Sequence, residues 1–199
     1  MAFSPAVAIY DACVLYPFHL RNIMVQVAVD GLVDARWTDA FHDEWMRNLL
    51  ANTPHLSAEH LQGTRQLMNV ALPEATVTGY EKHMPTVELP DPDDQHVVAA
   101  AMEAGASMIV TWNLRDFPIR ELRKHGLARQ TPDAFLFGLY EQAPDMLIAS
   151  LVNARHNLSR SRVSASGFID ILRDQCMPGP RFLTCAAVSF PMTQPSTRQ

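Results

Sequence analysis

Residues 89–118 read LPDPDDQHVVAAAMEAGASMIVTWNLRDFP. Pro90 and Pro92 bracket Asp91 and keep a regular helix from starting before them, because neither can donate a backbone hydrogen bond. After Asp93 and Asp94, the apolar residues Val97, Val98, Ala101 and Met102 follow helical spacing. Gly105 sits where a left-handed residue closes a helix. Residues 108–112, MIVTW, then form a short apolar run with β-branched members, the pattern of a strand buried on both faces. The polar turn NLRD and Phe117-Pro118 follow. A helix that feeds a buried strand is half of an α/β unit.

The flanking sequence supplies the rest of the unit. Residues 6–10, AVAIY, are a second buried strand and end at Asp11. Residues 20–31 have helical character and stop at a glycine. Thr38 opens another helix, in which Phe41, Trp45 and Leu49 fall on one stripe. Ser57 caps a third, which runs to about Leu72 before Pro73. Residues 74–89 contain Gly79 and Pro85 and are expected to form one or two short strands and a loop. Strands alternating with helices predict a parallel sheet. From Thr131-Pro132, a cap followed by proline, the signal becomes helical over 132–142, 145–158 and 166–176. The expected organisation is an α/β domain over residues 1–130, a helical extension over 131–190 and a tail over 191–199.

With 48% hydrophobic and 19% charged residues, the 199-residue chain has the composition of a folded core, which excludes a disordered or fibrous class. No apolar run reaches the roughly eighteen residues of a membrane helix, so no membrane association is expected. The opening MAFSPAVAIYD lacks the basic region of a secretory signal. Cys13, Cys176 and Cys185 form no CxxC pair, which fits a reducing compartment. The expected location is the cytoplasm. The net charge of −5 hides a split: residues 1–119 hold 15 acids and 6 bases, residues 120–199 hold 6 acids and 10 bases. A basic half beside an acidic one suits an anionic substrate.

Four acids stand at places where chemistry gathers. Asp11 ends the first strand, and Asp116 lies just past the MIVTW strand, with Asn113 between. Ligand sites of open parallel sheets lie beyond the carboxyl ends of the strands. Asp94 opens the VVAAA helix, four residues before Val98. Asp93, about 100° away, suits a cap, and the doubled Asp93-Asp94 leaves the choice of ligand between the two open. Asp91 reads as a turn residue. Glu44 is three residues after Phe41, beside the buried stripe, so its carboxylate can reach inward. Clustered carboxylates repel one another unless a cation neutralises them, and oxygen ligands suit Mg²⁺ or Mn²⁺. Other motifs fail: there is no GxxxxGK[ST], GxGxxG or HExxH, and the HxE of His42-Asp43-Glu44 has no PCxxC after it. The eight histidines are scattered and most of them read as surface residues, and Cys13 reads as a small buried hydrophobe.

Together, YDACVLYP (residues 10–17), HDEWMRNL (residues 42–49) and the stretch 89–118 resemble the PIN domain, the nuclease fold of VapC-type toxins. The match runs in order over about residues 6–120: Asp11 closes strand one, Glu44 lies on a following helix, Asp94 opens a late helix, and Thr111, Asn113, Asp116 and Phe117 follow a strand. The helical extension resembles that of a longer VapC-like subgroup. The resemblance implies a three-layer α/β/α fold and divalent-metal-dependent RNA hydrolysis by metal-activated water. It also implies the toxin role of a type II toxin–antitoxin pair. Asp11, Asp94 and Asp116 are the implied ligands of Mg²⁺ or Mn²⁺, with Glu44 as a further ligand or base. Thr111, Asn113, Arg47 and Arg115 would orient water or phosphate, and Arg120, Arg123 and Lys124 continue a basic edge. Asn113 departs from the Asp that many members carry, which favours one tight metal over two. The expected partners are RNA, a cognate antitoxin and, in a homodimer, a second copy. Two rivals are a metal-dependent phosphohydrolase of small phosphate esters and an inactive PIN-like binding module.

Overall fold

In the computed structural model, which describes residues 4–158 and 163–175, four strands form one parallel sheet. β1 (Ala6–Tyr10) lies between β2 (Val33–Arg36) and β3 (Met108–Val110), and β4 (Ala128–Gln130) flanks β3. The register pairs Ala8 with Ala35 on one side and with Met108 on the other. Parallel neighbours need crossovers. α1 (Ala12–Leu15) and α2 (Phe18–Val29) join β1 to β2. α3 (Asp39–Asn52), α4 (Ala58–Ala71) and α5 (Gln95–Glu103) lie between β2 and β3, and α6 (Ile119–Lys124) precedes β4. The fold is α/β, with helices flanking a central parallel sheet and a helical region after it, as the sequence predicts.

The chain builds β2 on one side of β1 and then crosses to build β3 on the other. Order β2-β1-β3-β4 therefore reverses direction between β1 and β3. At such a switch point the connections leave in opposite directions and open a crevice at the carboxyl ends of the strands. Asp11 and Thr111 stand at those two ends. Asp11 N–H still donates to Val110 O at 3.1 Å, so the ladder reaches the crevice floor.

Ile9, Tyr10, Val98, Ile109 and Val110 are fully buried and centre the core. Thr38 caps α3 by accepting from Phe41 N–H at 3.3 Å, and Ser57 caps α4 by accepting from His60 N–H at 3.2 Å. The α3 stripe buries Phe41 and Trp45, while Leu49 is half-buried. Residues 74–89 make less strand than expected. Thr76 forms an isolated bridge with Trp37, and residues Tyr80–Thr86 are a 3₁₀ turn. Pro85 and Gly79, the latter at φ 75°, account for this.

α7 (Pro132–Gln142), α8 (Pro144–His156) and α9 (Ala165–Gln175) follow β4. Phe135, Leu136, Leu147, Leu151 and Phe168 join the same hydrophobic cluster as the sheet. α8 packs on α2: Asn22 Nδ2 donates to Ala154 O at 2.7 Å and the Ser150 hydroxyl donates to Asp30 Oδ2 at 2.6 Å. The end of the expected extension, the tail, Arg160, Arg162, Cys176 and Cys185 lie outside the described residues. Among the described residues no helix is long and apolar enough to cross a membrane.

Candidate nuclease site at the switch point

Asp11 is only 5% exposed, and among the described residues it forms no ion pair. A buried carboxylate is costly unless hydrogen-bonded or paired with a cation. Its Oδ2 accepts from the Thr111 hydroxyl at 2.6 Å and from the Cys13 thiol at 3.1 Å. Each of these donors accepts in turn from the loop after β3. Asn113 N–H donates to Thr111 Oγ1 at 2.9 Å, and Trp112 N–H donates to Cys13 Sγ at 3.3 Å. Two consecutive loop amides are thus tied through two side chains to one carboxylate oxygen.

The other acids surround this point electrostatically. Asp94 stands in the 3₁₀ turn Pro92–Asp94 at the start of α5 and is half-buried. Burial, and then the charges of Asp11, Asp116, Asp91 and Glu44, push its carboxyl up to about 6. Glu44, half-buried on α3, is also raised, first by burial and then by Asp11, while His96 and Arg47 pull it back. Asp116 lies in the turn after β3, where its N–H donates to Asn113 O at 3.1 Å. Asp11, Asp116 and Glu44 therefore all act on Asp94, and Asp11 acts on Glu44 as well.

Asp93 and Asp94 share the 3₁₀ turn, whose three residues per turn set them about 120° apart. Asp93 is exposed, and the expected capping role belongs to Asp91, whose Oδ1 accepts from Asp93 N–H at 2.9 Å. Thr111 is fully buried, and Asn113, Arg47 and Arg115 are exposed. Arg120 and Arg123 are exposed on α6. Lys124 is engaged instead by Glu121 at 2.5 Å.

Two residues do more than their sequence reading gives. Cys13 is half-buried and packs against the core, as expected, but it is also hydrogen-bonded, and burial with Asp11 beside it pushes its thiol up, so it remains a donor. His42 is fully buried and accepts from Trp45 Nε1–H at 3.0 Å. A further support is Arg21, 5% exposed on α2. Its Nη1 donates to Leu15 O at 2.5 Å and to Tyr16 O at 3.3 Å, and its guanidinium lies 4.5 Å from the Trp45 ring centre. It fixes the turn leaving α1, and so the segment that carries Asp11. Nothing in the periodicity marks Arg21, because a lone arginine on a helix reads as a surface charge.

The donor set fits a divalent cation. It is a buried carboxylate without an ion pair, with Asp94, Asp116 and Glu44 near enough for their charges to be felt and Glu44 offset in part by His96 and Arg47, all hard oxygen donors. Among the described residues no three such side chains already stand at ligand spacing.

The sequence model of the PIN domain family matches residues 7–115, from β1 into the turn after β3 and one residue short of Asp116. A Mycobacterium tuberculosis protein named "Putative ribonuclease VapC50" is 33% identical over 105 residues, which cover 51% of this chain and 59% of that protein. The matched stretch thus spans about three fifths of that relative. No solved structure matches the chain. The family match covers more than half of the sequence and contains the switch point with Asp11, Glu44 and Asp94, and on that ground the chain belongs to the PIN domain family.

Proposed function

We propose that this chain is a divalent-metal-dependent endoribonuclease, the toxin of a type II toxin–antitoxin pair. The observation that carries this reading is the buried, ion-pair-free carboxylate of Asp11 at the β1/β3 switch point, with the charges of Asp11, Asp116 and Glu44 all raising Asp94. Mg²⁺ or Mn²⁺ would be held by Asp11, Asp94 and Asp116. When bound, the ion lowers the pKa of water and offsets charge developing on the phosphate.

The chain's own groups do the rest. Thr111 fixes the Asp11 carboxylate. Glu44 has a raised carboxyl and stands beside Asp11, which suits it to accept the proton of the attacking water. Arg47 and Arg115 contact backbone phosphates, and Asn113 orients the scissile group. With water as nucleophile, the 2′-OH is spared and the products carry 5′-phosphate and 3′-OH ends. The relative's name supports RNA as substrate. In this reading residues 1–130 form the nuclease unit and residues 131–190 an extension. A cognate antitoxin restrains the enzyme in the cytoplasm, and a homodimer is its assembly.

The test is incubation of the purified protein with tRNA, rRNA and mRNA in Mg²⁺, Mn²⁺ or EDTA, followed by mapping of product ends. Cleavage in metal with 5′-phosphate ends supports the reading. Cleavage that persists in EDTA, or ends carrying 2′,3′-cyclic phosphate, overturns it.

A further inference from the structure

Asp11 Oδ2 accepts from two side chains at once, Thr111 at 2.6 Å and Cys13 at 3.1 Å. The oxygen these donors leave free is Oδ1. The sulfur acts in two ways. Cys13 donates S–H to the carboxylate and accepts N–H from Trp112 at 3.3 Å, and its sulfur lies 3.5 Å from Thr111 Oγ1. Cys13 therefore ties α1, which directly follows β1, to the loop after β3. A residue serving only to fill space would need none of these interactions.

From this geometry we infer that Cys13 is a positioning residue, which with Thr111 locks the rotation of the Asp11 carboxylate so that Oδ1 alone faces the cation. The inference rests on the proposed metal-dependent reading. Partners that orient a ligating carboxylate typically affect metal affinity about 10–100-fold. A thiol is a weak donor, so an effect of about tenfold, the lower end, is expected here.

The experiment is calorimetric titration of Mn²⁺ into the full-length wild type, Cys13→Ala, Cys13→Val and Cys13→Ser, with melting temperatures in EDTA recorded alongside. Valine keeps volume and loses the donor, so it answers for alanine should the smaller side chain impair folding. Serine keeps a donor and an acceptor. The expected result is Mn²⁺ affinity about tenfold weaker in Cys13→Ala and Cys13→Val, with Cys13→Ser restored to near wild type. Wild-type affinity in Cys13→Val, or a loss in Cys13→Ser equal to that in Cys13→Val, overturns the positioning role. A fall in melting temperature with unchanged Mn²⁺ affinity also overturns it, because that marks packing alone. Absence of Mn²⁺ binding by the wild type overturns the metal reading itself, and the role of Cys13 with it. Wild-type binding with unaltered Cys13 variants overturns only the latter.

Discussion

The Thr111 hydroxyl donates to Asp11 Oδ2 at 2.6 Å, joining two residues 100 apart in sequence at the ends of adjacent parallel strands. Thr111 is fully buried and also accepts from Asn113 N–H. Thr111→Val keeps the shape and removes both interactions, leaving a buried carboxylate short of a donor. Unfolding in urea should show a loss of about 1–3 kcal/mol. RNA cleavage should fall about tenfold or more, as for other partners of ligating carboxylates. A variant as stable and active as wild type would mean that the hydroxyl does not orient Asp11.

Arg21 should behave as a structural brace. It is buried, held by two carbonyls and seated near the Trp45 ring. Arg21→Met fills similar volume but strands the carbonyls of Leu15 and Tyr16, costing about 2–3 kcal/mol. Mn²⁺ affinity of the folded fraction should change little. A large drop in that affinity without loss of stability would move Arg21 into the binding machinery.

Stability should respond to pH through two opposed groups. Burial, and then the Arg65 charge, lower the imidazole of His42 from 6.5 to about 4. Between those values the unfolded chain binds more protons, so stability falls as pH drops from 6.5 towards 4. Asp94, raised from 3.8 to about 6, acts oppositely: the folded state binds more protons there, so its contribution falls as pH rises. His42 is fully buried whereas Asp94 is partly open to screening solvent. The histidine should therefore set the net trend. In EDTA, urea unfolding at about pH 4.5 and about pH 6.5 should find the wild type more stable at the higher pH. Asp94→Asn should steepen that gain, and His42→Gln should flatten or reverse it. An unchanged slope in Asp94→Asn would show that the cluster does not strain the fold.

Much of this was legible in the sequence, for identifiable reasons. β1 is buried over residues 8–10 and β3 over residues 109–110, on both faces, so each strand reads as a continuous apolar run. β2 (VDAR) and β4 (ARQ) escaped because they are short and carry polar residues, and β4 lies at the sheet edge with Ala128 exposed. Their strand character comes from pairing with β1 and β3, which no local pattern records. Asp94 was legible as the acid that opens α5, although the sequence leaves the choice between it and the adjacent Asp93 open. Cys13 was not: a thiol counts as apolar in any pattern, and its bonds to Asp11 and Trp112 exist only once β1 and β3 are adjacent.

Two arginines make a prediction that separates substrate capture from chemistry. Arg47 and Arg115 are exposed. If they meet backbone phosphates, Arg47→Gln with Arg115→Gln should weaken RNA binding. The salt dependence should flatten too, its log–log slope falling by about one for each phosphate no longer neutralised. Mn²⁺ affinity should stay as it was. An unaltered salt slope would make both residues surface charges.

The central claim is that Asp11, Glu44, Asp94 and Asp116 repel one another until a divalent cation joins them. Thermal melting of wild type and Asp11→Asn, each with EDTA and with saturating Mn²⁺, tests it most directly. Asparagine keeps an acceptor for Thr111 and removes the charge. At Mn²⁺ about a hundred times its dissociation constant, stabilisation is about 2.7 kcal/mol. For a chain of this size that corresponds to a wild-type rise of roughly 5–10 °C. Asp11→Asn should melt at or above the wild type in EDTA and gain little from Mn²⁺. Equal Mn²⁺ shifts in both proteins, or none in the wild type, would contradict the account.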